Sequence, residues 1–300
     1  MKPRGARGSL PCQVSRTSEE PWHVGRRTSS PFGRLFTVND EAVLDAATAL
    51  LEVRENRRVV PDLPPSLRPE TLTDAYAIQH RVVAALVAQA GGRCIGFKVA
   101  CTNPIAQAAL QIDRPVFGRL MSHTTSPSGT TLATDQFIHR VIEAEFAFRV
   151  GVDVEALDGG HTADTIADHI DALIPGIEIV DYRFESWAVG ALPIAADNAI
   201  HGWWLRGEPV ADWRGHDLAA SAVSVTRNGV VVTTGSGAVV LGHPLNVMAW
   251  LADELPRFGL RLCRGDVVTT GVATDVFEAG AGDRCVADFG PFGRVAVAFD

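Results

Sequence analysis

An α+β fold is predicted for this chain: a helical N-terminal region ahead of a large, sheet-rich body. Two observations carry the prediction. Over residues 37–95 apolar side chains recur at helical spacing between capping residues. Over residues 96–300 the pattern changes mostly to short β-branched and aromatic runs, two of them hinged on tight-turn residues.

Residues 1–36 differ from everything after them. They are rich in Arg, Ser, Pro and Gly and show no periodicity, which predicts a disordered basic tail without function. Their Pro and Gly would break the amphipathic helix of an organellar presequence, and a start site assigned too far upstream would explain them equally well. The first helix is read in VNDEAVLDAATALLEVRENRR, with Asn39 or Asp40 as cap and acids in its first turn. The second, in RPETLTDAYAIQHRVVAALVAQAGG, opens on a Thr cap and closes at Gly91–Gly92. Ala75, Ile78, Val82, Ala85 and Leu86 form its apolar stripe. Strands begin at RCIGFKVAC. SVTRNGVVVTTG predicts a hairpin around Asn228–Gly229, and ADFGPFGRVAVAF another around Pro291–Gly293. One helix, HPLNVMAWLADELPRFG, interrupts the strands, with His243 as its cap or a packing residue.

Composition narrows the function classes. A net charge of −8 with no basic helix argues against a nucleic-acid binder. No run is long enough to span a bilayer. Five scattered cysteines without C-x-x-C spacing predict neither a zinc site nor a disulfide framework, so a reducing cytoplasm is expected. Cys101 reads as a small buried hydrophobe.

RVIEAEFAFRVG, residues 140–151, places Glu143 and Glu145 inside a run that otherwise reads as a buried strand. Residues two apart share a face, so the two glutamates lie with Val141 and Ala147, and Ile142, Ala144, Phe146, Phe148 and Val150 take the core side. At roughly 6–7 Å apart, two carboxylates repel by about 2–3 kcal/mol at an effective dielectric near 20. Three offsets are available: solvent on that face, Arg140 or Arg149, or a hard divalent cation. On alternation alone the solvent-facing arrangement is the commonest.

Six segments in order resemble one family: IGFKVACTNPIAQAALQIDRPVFGRL, IEAEFAFRVG, IPGIEIVDYRFESW, ADNAIHGWWLRG, TTGSGAVVLGHPLNVMAWLADEL and GDVVTTGVAT. Together, from about residue 40 onward, they are similar to the 2-keto-4-pentenoate hydratase and 4-oxalocrotonate decarboxylase branch of the fumarylacetoacetate hydrolase superfamily. The resemblance implies a helical segment packed on a mixed β-roll or barrel-like body. It implies Mg²⁺ or Mn²⁺ held by Glu143, Glu145 and Glu178, with Lys98 as the active-site lysine. Between Phe97 and Val99, Lys98 reads either as a stem lying along apolar surface with its head in water or, near a metal-bound 2-oxo acid, as a group of lowered pKa that moves protons. Glu178 and Asp181 would face opposite sides of an extended GIEIVD, so only Glu178 is expected as a direct ligand. Asp181, paired with Arg183, is placed behind it or in a purely local ion pair, and Asp197 and Thr274 are further residues behind the metal or beside the substrate.

The implied activity is hydration of a 2-hydroxy-2,4-dienoate to a 4-hydroxy-2-oxo acid in aromatic meta-cleavage catabolism. Decarboxylation of a 4-oxalocrotonate-type 2-oxo acid is the alternative. A homo-oligomer, and association with a pathway enzyme, are further implications. Several pocket positions depart from the family pattern. Val116 stands where hydratases carry an acid, and Ile200–His201 where a small hydroxyl residue is usual. His201 is either a replacement acid or base or a structural histidine. Tyr182 and Ala100–Cys101 depart too, and His123 and His139 lie near the glutamate strand. An acylpyruvate C–C hydrolase is disfavoured because GFKVACTNPIAQ lacks the His–Glu pair of that group. A silent partner subunit is disfavoured because a dead site has no reason to keep a costly carboxylate cluster.

Overall fold

The computed structural model describes residues 40–300; the tail expected over residues 1–36 and the alternative cap Asn39 lie outside the described residues. α1 (Asp40–Glu55) has Asp40 and Glu41 in its first turn, beside the unpaired N–H groups, and buries Val43, Ala46, Ala47, Leu50 and Val53. α2 (Leu72–Ala90) is closed at both ends as its sequence suggests. Thr71 and Asp74 form a reciprocal capping box, and Gly91 takes φ 64° after the last turn. Tyr76 on α2 stacks on Phe117 at 4.0 Å, which fixes the helix against the strands that follow.

The expectation of a single later helix is corrected. α3 (Pro104–Leu110), α4 (Ala163–Ala167) and α5 (Ala191–Ala196) precede α6 (Pro244–Glu254). With seven, five and six residues, the three extra helices are too short to display an apolar period. His243 caps α6, its Nδ1 accepting the Leu245 N–H at 3.1 Å.

Thirteen strands are present among the described residues: β1 (Cys94–Ala100), β2 (Val116–Met121), β3 (Thr125–Pro127), β4 (Thr130–Leu132), β5 (Val141–Val150), β6 (Ile170–Val180), β7 (His201–Arg206), β8 (Ala222–Arg227), β9 (Val230–Ser236), β10 (Val267–Val272), β11 (Phe277–Glu278), β12 (Arg284–Asp288) and β13 (Arg294–Phe299). They build an eight-stranded mixed sheet in the order β2-β1-β10-β5-β6-β7-β3, with β11 beside β5, and a five-stranded sheet in the order β4-β13-β12-β8-β9. Both expected hairpins are there. β8 and β9 turn at Asn228 and Gly229, both at positive φ as a tight two-residue turn requires. β12 and β13 turn through Gly290–Phe292.

The larger sheet curls into a half-barrel with two differently filled sides. Its outer side carries Phe146 and Phe148, which meet Phe289, Phe292 and Trp213 in the main core. Inside the curl sits a small plug of Leu120, Ala147, Ile174 and Trp204. The curl is tight because Gly176 has no side chain: a Cβ there would lie 2.4 Å from Trp204 Nε1. Among the described residues no helix is long and apolar enough to cross a membrane.

Candidate metal centre

β5 and β6 run antiparallel with Glu143 opposite Glu178 and Glu145 opposite Gly176. Directly paired residues share a face, so all three glutamates project into the half-barrel, above the apolar plug. One oxygen of each lies within 4.8 Å of the others. Glu145 and Glu178 are wholly buried, and Glu143 keeps part of its surface open. The solvent-facing arrangement suggested by alternation is thereby corrected: both sides of β5 are covered, one by the core and one by the curl.

Neither arginine considered from the sequence neutralises the cluster. Arg140 donates to the Ala279 carbonyl and Arg149 pairs with Asp171. The compensating cation is Lys98, which the register Lys98–Thr269–Ala147 across β1, β10 and β5 puts on the same face. Its Nζ lies 3.3 Å from Glu178 Oε1 and donates to the Ala199 carbonyl at 3.1 Å. His201, the first residue of β7, sets Nδ1 2.9 Å from the same Oε1. On the other side, the Gly271 N–H donates to Glu145 Oε2 at 3.0 Å. Only glycine fits there: φ is 94°, and a Cβ would lie 2.0 Å from Thr102 Oγ1.

Two carboxylate oxygens, Glu145 Oε1 and Glu178 Oε2, are buried with no hydrogen-bond donor. A buried carboxylate oxygen without a partner is strongly destabilising when ionised, so the group must take up a proton or a cation. The donor set is all oxygen, three carboxylates wide and aimed inward, which fits a hard divalent cation such as Mg²⁺ or Mn²⁺.

The electrostatics are those of a crowded acidic site. Burial pushes the Glu143 carboxyl up to about 7, Lys98 opposing and the Glu178 charge adding. Burial, then Glu178 and Glu143, push Glu145 well above the usual carboxylate range. For Glu178 burial acts upward too, but Lys98 and His201 outweigh it and hold the group below its ordinary value. At Lys98 burial works to lower the pKa, yet the three neighbouring glutamates prevail and hold it above its ordinary value. Burial outweighs the Glu178 contact and lowers His201, and because a carboxylate only accepts, Nδ1 carries the proton shared with Glu178.

The remaining sequence candidates separate into groups. Asp181 lies just past β6 and outside the three-carboxylate cluster. Its Oδ1 accepts the Ile138 and His139 N–H groups at 3.0 and 2.8 Å. Its Oδ2 meets Arg183 at 3.3 Å, but the shorter contact of Arg183 is to Asp197 Oδ2, at 2.5 Å. Asp197 Oδ1 in turn accepts Arg54 Nε at 2.6 Å, a partner that no sequence signal revealed because it is 143 residues distant. These four charges form a buried chain beside the turn Asn198–Ile200.

Thr274 directs its hydroxyl to the Asp275 carbonyl at 3.0 Å. Thr102, which sequence reasoning missed, is buried with an unpartnered Oγ1 against Gly271. Its only signal was proximity to Lys98 in KVACT. Val116 is buried on the face of β2 that also carries Gly118, the partner of Lys98. His139 stacks on Tyr182 and pairs with Glu278, away from the cluster. Cys101 is buried with its thiol pushed up to about 12, in keeping with a packing role.

This geometry can be set beside known proteins. The fumarylacetoacetate (FAA) hydrolase C-terminal family matches residues 93–299. The chain is 33% identical over 265 residues to 2-keto-4-pentenoate hydratase 1 of Dechloromonas aromatica (strain RCB), covering 88% of this chain and 97% of that protein. It is 31% identical over 267 residues to 4-oxalocrotonate decarboxylase of Pseudomonas putida, covering 88% and 98%. Among solved structures, 4-oxalocrotonate decarboxylase from Pseudomonas putida G7, complexed with magnesium and adipate, superposes with a TM-score of 0.81 at 28% identity, covering 88% of this chain and 99% of that one. Sequence, fold and near-complete coverage agree that the chain belongs to the fumarylacetoacetate hydrolase family, in the company of its hydratases and decarboxylases.

Proposed function

We propose that the chain is a divalent-metal-dependent hydratase of a 2-hydroxy-2,4-dienoate, forming a 4-hydroxy-2-oxo acid. One observation carries this reading: three converging carboxylates leave two buried oxygens unpartnered beside a buried, charged lysine. Glu143, Glu145 and Glu178 would hold Mg²⁺ or Mn²⁺. Such a cation acts as a Lewis acid toward the carboxylate and 2-oxygen of a 2-oxo acid. Lys98 Nζ, held by Glu178 and the Ala199 carbonyl, is the nearest charged proton donor and exchanges a proton with the substrate chain. The free Thr102 hydroxyl, beside the Gly271 backbone that holds Glu145, donates to the substrate carboxylate. Hydratases among the relatives at 33% identity, and magnesium with a dicarboxylate in the 4-oxalocrotonate decarboxylase structure, support the same chemistry.

Decarboxylation is the second reading, favoured by Val116. This side chain is wholly buried on the lysine-bearing face, where it supplies no acid for the distal end of a dienoate. Loss of CO₂ needs no acid there, since the electron pair of the broken bond passes to the 2-oxygen end.

The test offers 2-hydroxypenta-2,4-dienoate and 4-oxalocrotonate separately to the protein with Mn²⁺ or Mg²⁺, with and without EDTA, and weighs the products by mass spectrometry. A metal-dependent product one water heavier is expected. Loss of CO₂ would instead establish the decarboxylase. Failure to bind metal on titration would overturn both.

A further inference from the structure

Resting on that reading of the three glutamates, we infer that His201 is the positioning residue that fixes Glu178 for metal. The observation is a two-bond relay through a wholly buried ring. His201 Nδ1 lies 2.9 Å from Glu178 Oε1, and Nε2 lies 3.1 Å from Thr124 Oγ1. A carboxylate only accepts, so Nδ1 carries the proton that faces Glu178, and the Thr124 hydroxyl, which can donate or accept, braces the ring at Nε2. The ring so held between Glu178 and Thr124 keeps Oε1 occupied. Oε1 is taken by His201 and Lys98, while Oε2 is buried with no donor. The glutamate is held by one oxygen and presents the other.

The backbone before the ring is built for this placement. Asn198, Ala199 and Ile200 have φ of 55°, 47° and 55°, three consecutive left-handed residues of which the last is β-branched. Such a run is costly and persists only where its surroundings hold it. Asn198 clamps it, its Oδ1 accepting the Arg119 N–H at 2.7 Å and its Nδ2 donating to the Arg119 carbonyl at 3.0 Å. The Ile200 N–H donates to the Asp197 carbonyl, and the Ile200 carbonyl accepts the Asp181 N–H. The turn delivers two groups to one place: the Ala199 carbonyl on Lys98 and the His201 ring on Glu178.

The experiment measures Mn²⁺ affinity of the metal-free full chain by the electron paramagnetic resonance signal of free Mn²⁺, together with the Mn²⁺-induced rise in Tm. Four proteins are compared: wild type, His201→Leu, His201→Asn and Thr124→Val. Asparagine can place an N–H near the Nδ1 position, whereas leucine fills the space without a donor. His201→Leu is expected to weaken Mn²⁺ by about ten- to a hundredfold. His201→Asn should stay within a few fold of wild type, and Thr124→Val should fall between. Wild-type affinity in a folded His201→Leu protein would overturn the inference. If that variant fails to fold, His201→Asn and Thr124→Val decide: loss in the threonine variant with retention in the asparagine variant supports the relay, and any other pattern overturns it. If wild type itself binds no Mn²⁺, the metal reading has failed, which is a different outcome from equal binding by all four.

Discussion

Lys98 Nζ and Glu178 Oε1 stand 3.3 Å apart with neither side chain exposed, so one ammonium faces three carboxylates inside the half-barrel. Replacing Lys98 by Met should therefore separate chemistry from metal binding. The proton donor is lost, and turnover of the dienoate should fall by about 10²–10⁴-fold. Mn²⁺ binding should persist, because the ligating oxygens remain and a competing cation has gone. Mn²⁺ should also raise the Tm of the variant by more than it raises that of wild type, since without lysine the bound metal is the only countercharge. Parallel loss of turnover and of Mn²⁺ affinity would refute this division of roles.

Metal affinity should rise with pH. Burial raises Glu143 to about 7 and lifts Glu145 well above the usual carboxylate range, so near neutrality the cluster holds protons that a cation must displace. Below pH 6, Mn²⁺ affinity should drop by up to about tenfold per unit for each proton displaced. The metal-free protein should respond in the opposite sense. A carboxyl whose folded pKa exceeds its unfolded value contributes stability that is complete below about 4.5 and lost as pH rises through about 7. The Tm increment produced by Mn²⁺ should therefore be larger at pH 8 than at pH 5.5. Calorimetric titration across that range checks both, and a flat profile would contradict the burial argument.

Much of this was legible in residue order, and what was not has physical causes. Capping residues act locally, so α2 and the Asn228–Gly229 hairpin follow from their own sequences. The core side of β5 likewise follows from two-residue alternation. The opposite face misled, because alternation reports that two faces differ and not what covers the polar one. Here the cover is Lys98 from β1 and His201 from β7, brought in by strand order. Arg54 was invisible for the same reason: its partner Asp197 is 143 residues away. The short helices α3, α4 and α5 lack the length to show a period. The direction of the lysine pKa depends on a count of nearby charges, and such a count exists only in three dimensions.

The left-handed turn offers a stability test. Asn198 satisfies both the N–H and the carbonyl of Arg119 on β2, a strand at the sheet edge. Asn198→Ala should cost about 2–3 kcal/mol, since two hydrogen bonds go and the strain at Ala199 and Ile200 loses its clamp. Thermal or urea unfolding reads this directly. The same variant should lose Mn²⁺ affinity, because the turn carries both Lys98's acceptor and His201. An unchanged Tm would mean that the turn is held by other contacts.

Two threonines near the cluster make opposite predictions. Thr274 already spends its hydroxyl proton on the Asp275 carbonyl, so it has none to offer a substrate in this arrangement. Thr102 Oγ1 is buried with no partner, against the Gly271 backbone that anchors Glu145. On the proposed function, a hydroxyl so placed would donate to the carboxylate end of the 2-oxo acid. A hydrogen bond to a charged group contributes about 1.5–3 kcal/mol, or roughly ten- to a hundredfold in binding. Thr102→Val is close in shape, so it should raise KM by about that factor while leaving Mn²⁺ affinity and Tm nearly unchanged. Thr274→Val should leave KM within a few fold of wild type and lower the Tm instead, because the Asp275 carbonyl loses its donor. Steady-state kinetics on the two variants, beside their melting curves, decide the assignment. A large KM effect at Thr274 with none at Thr102 would reverse it.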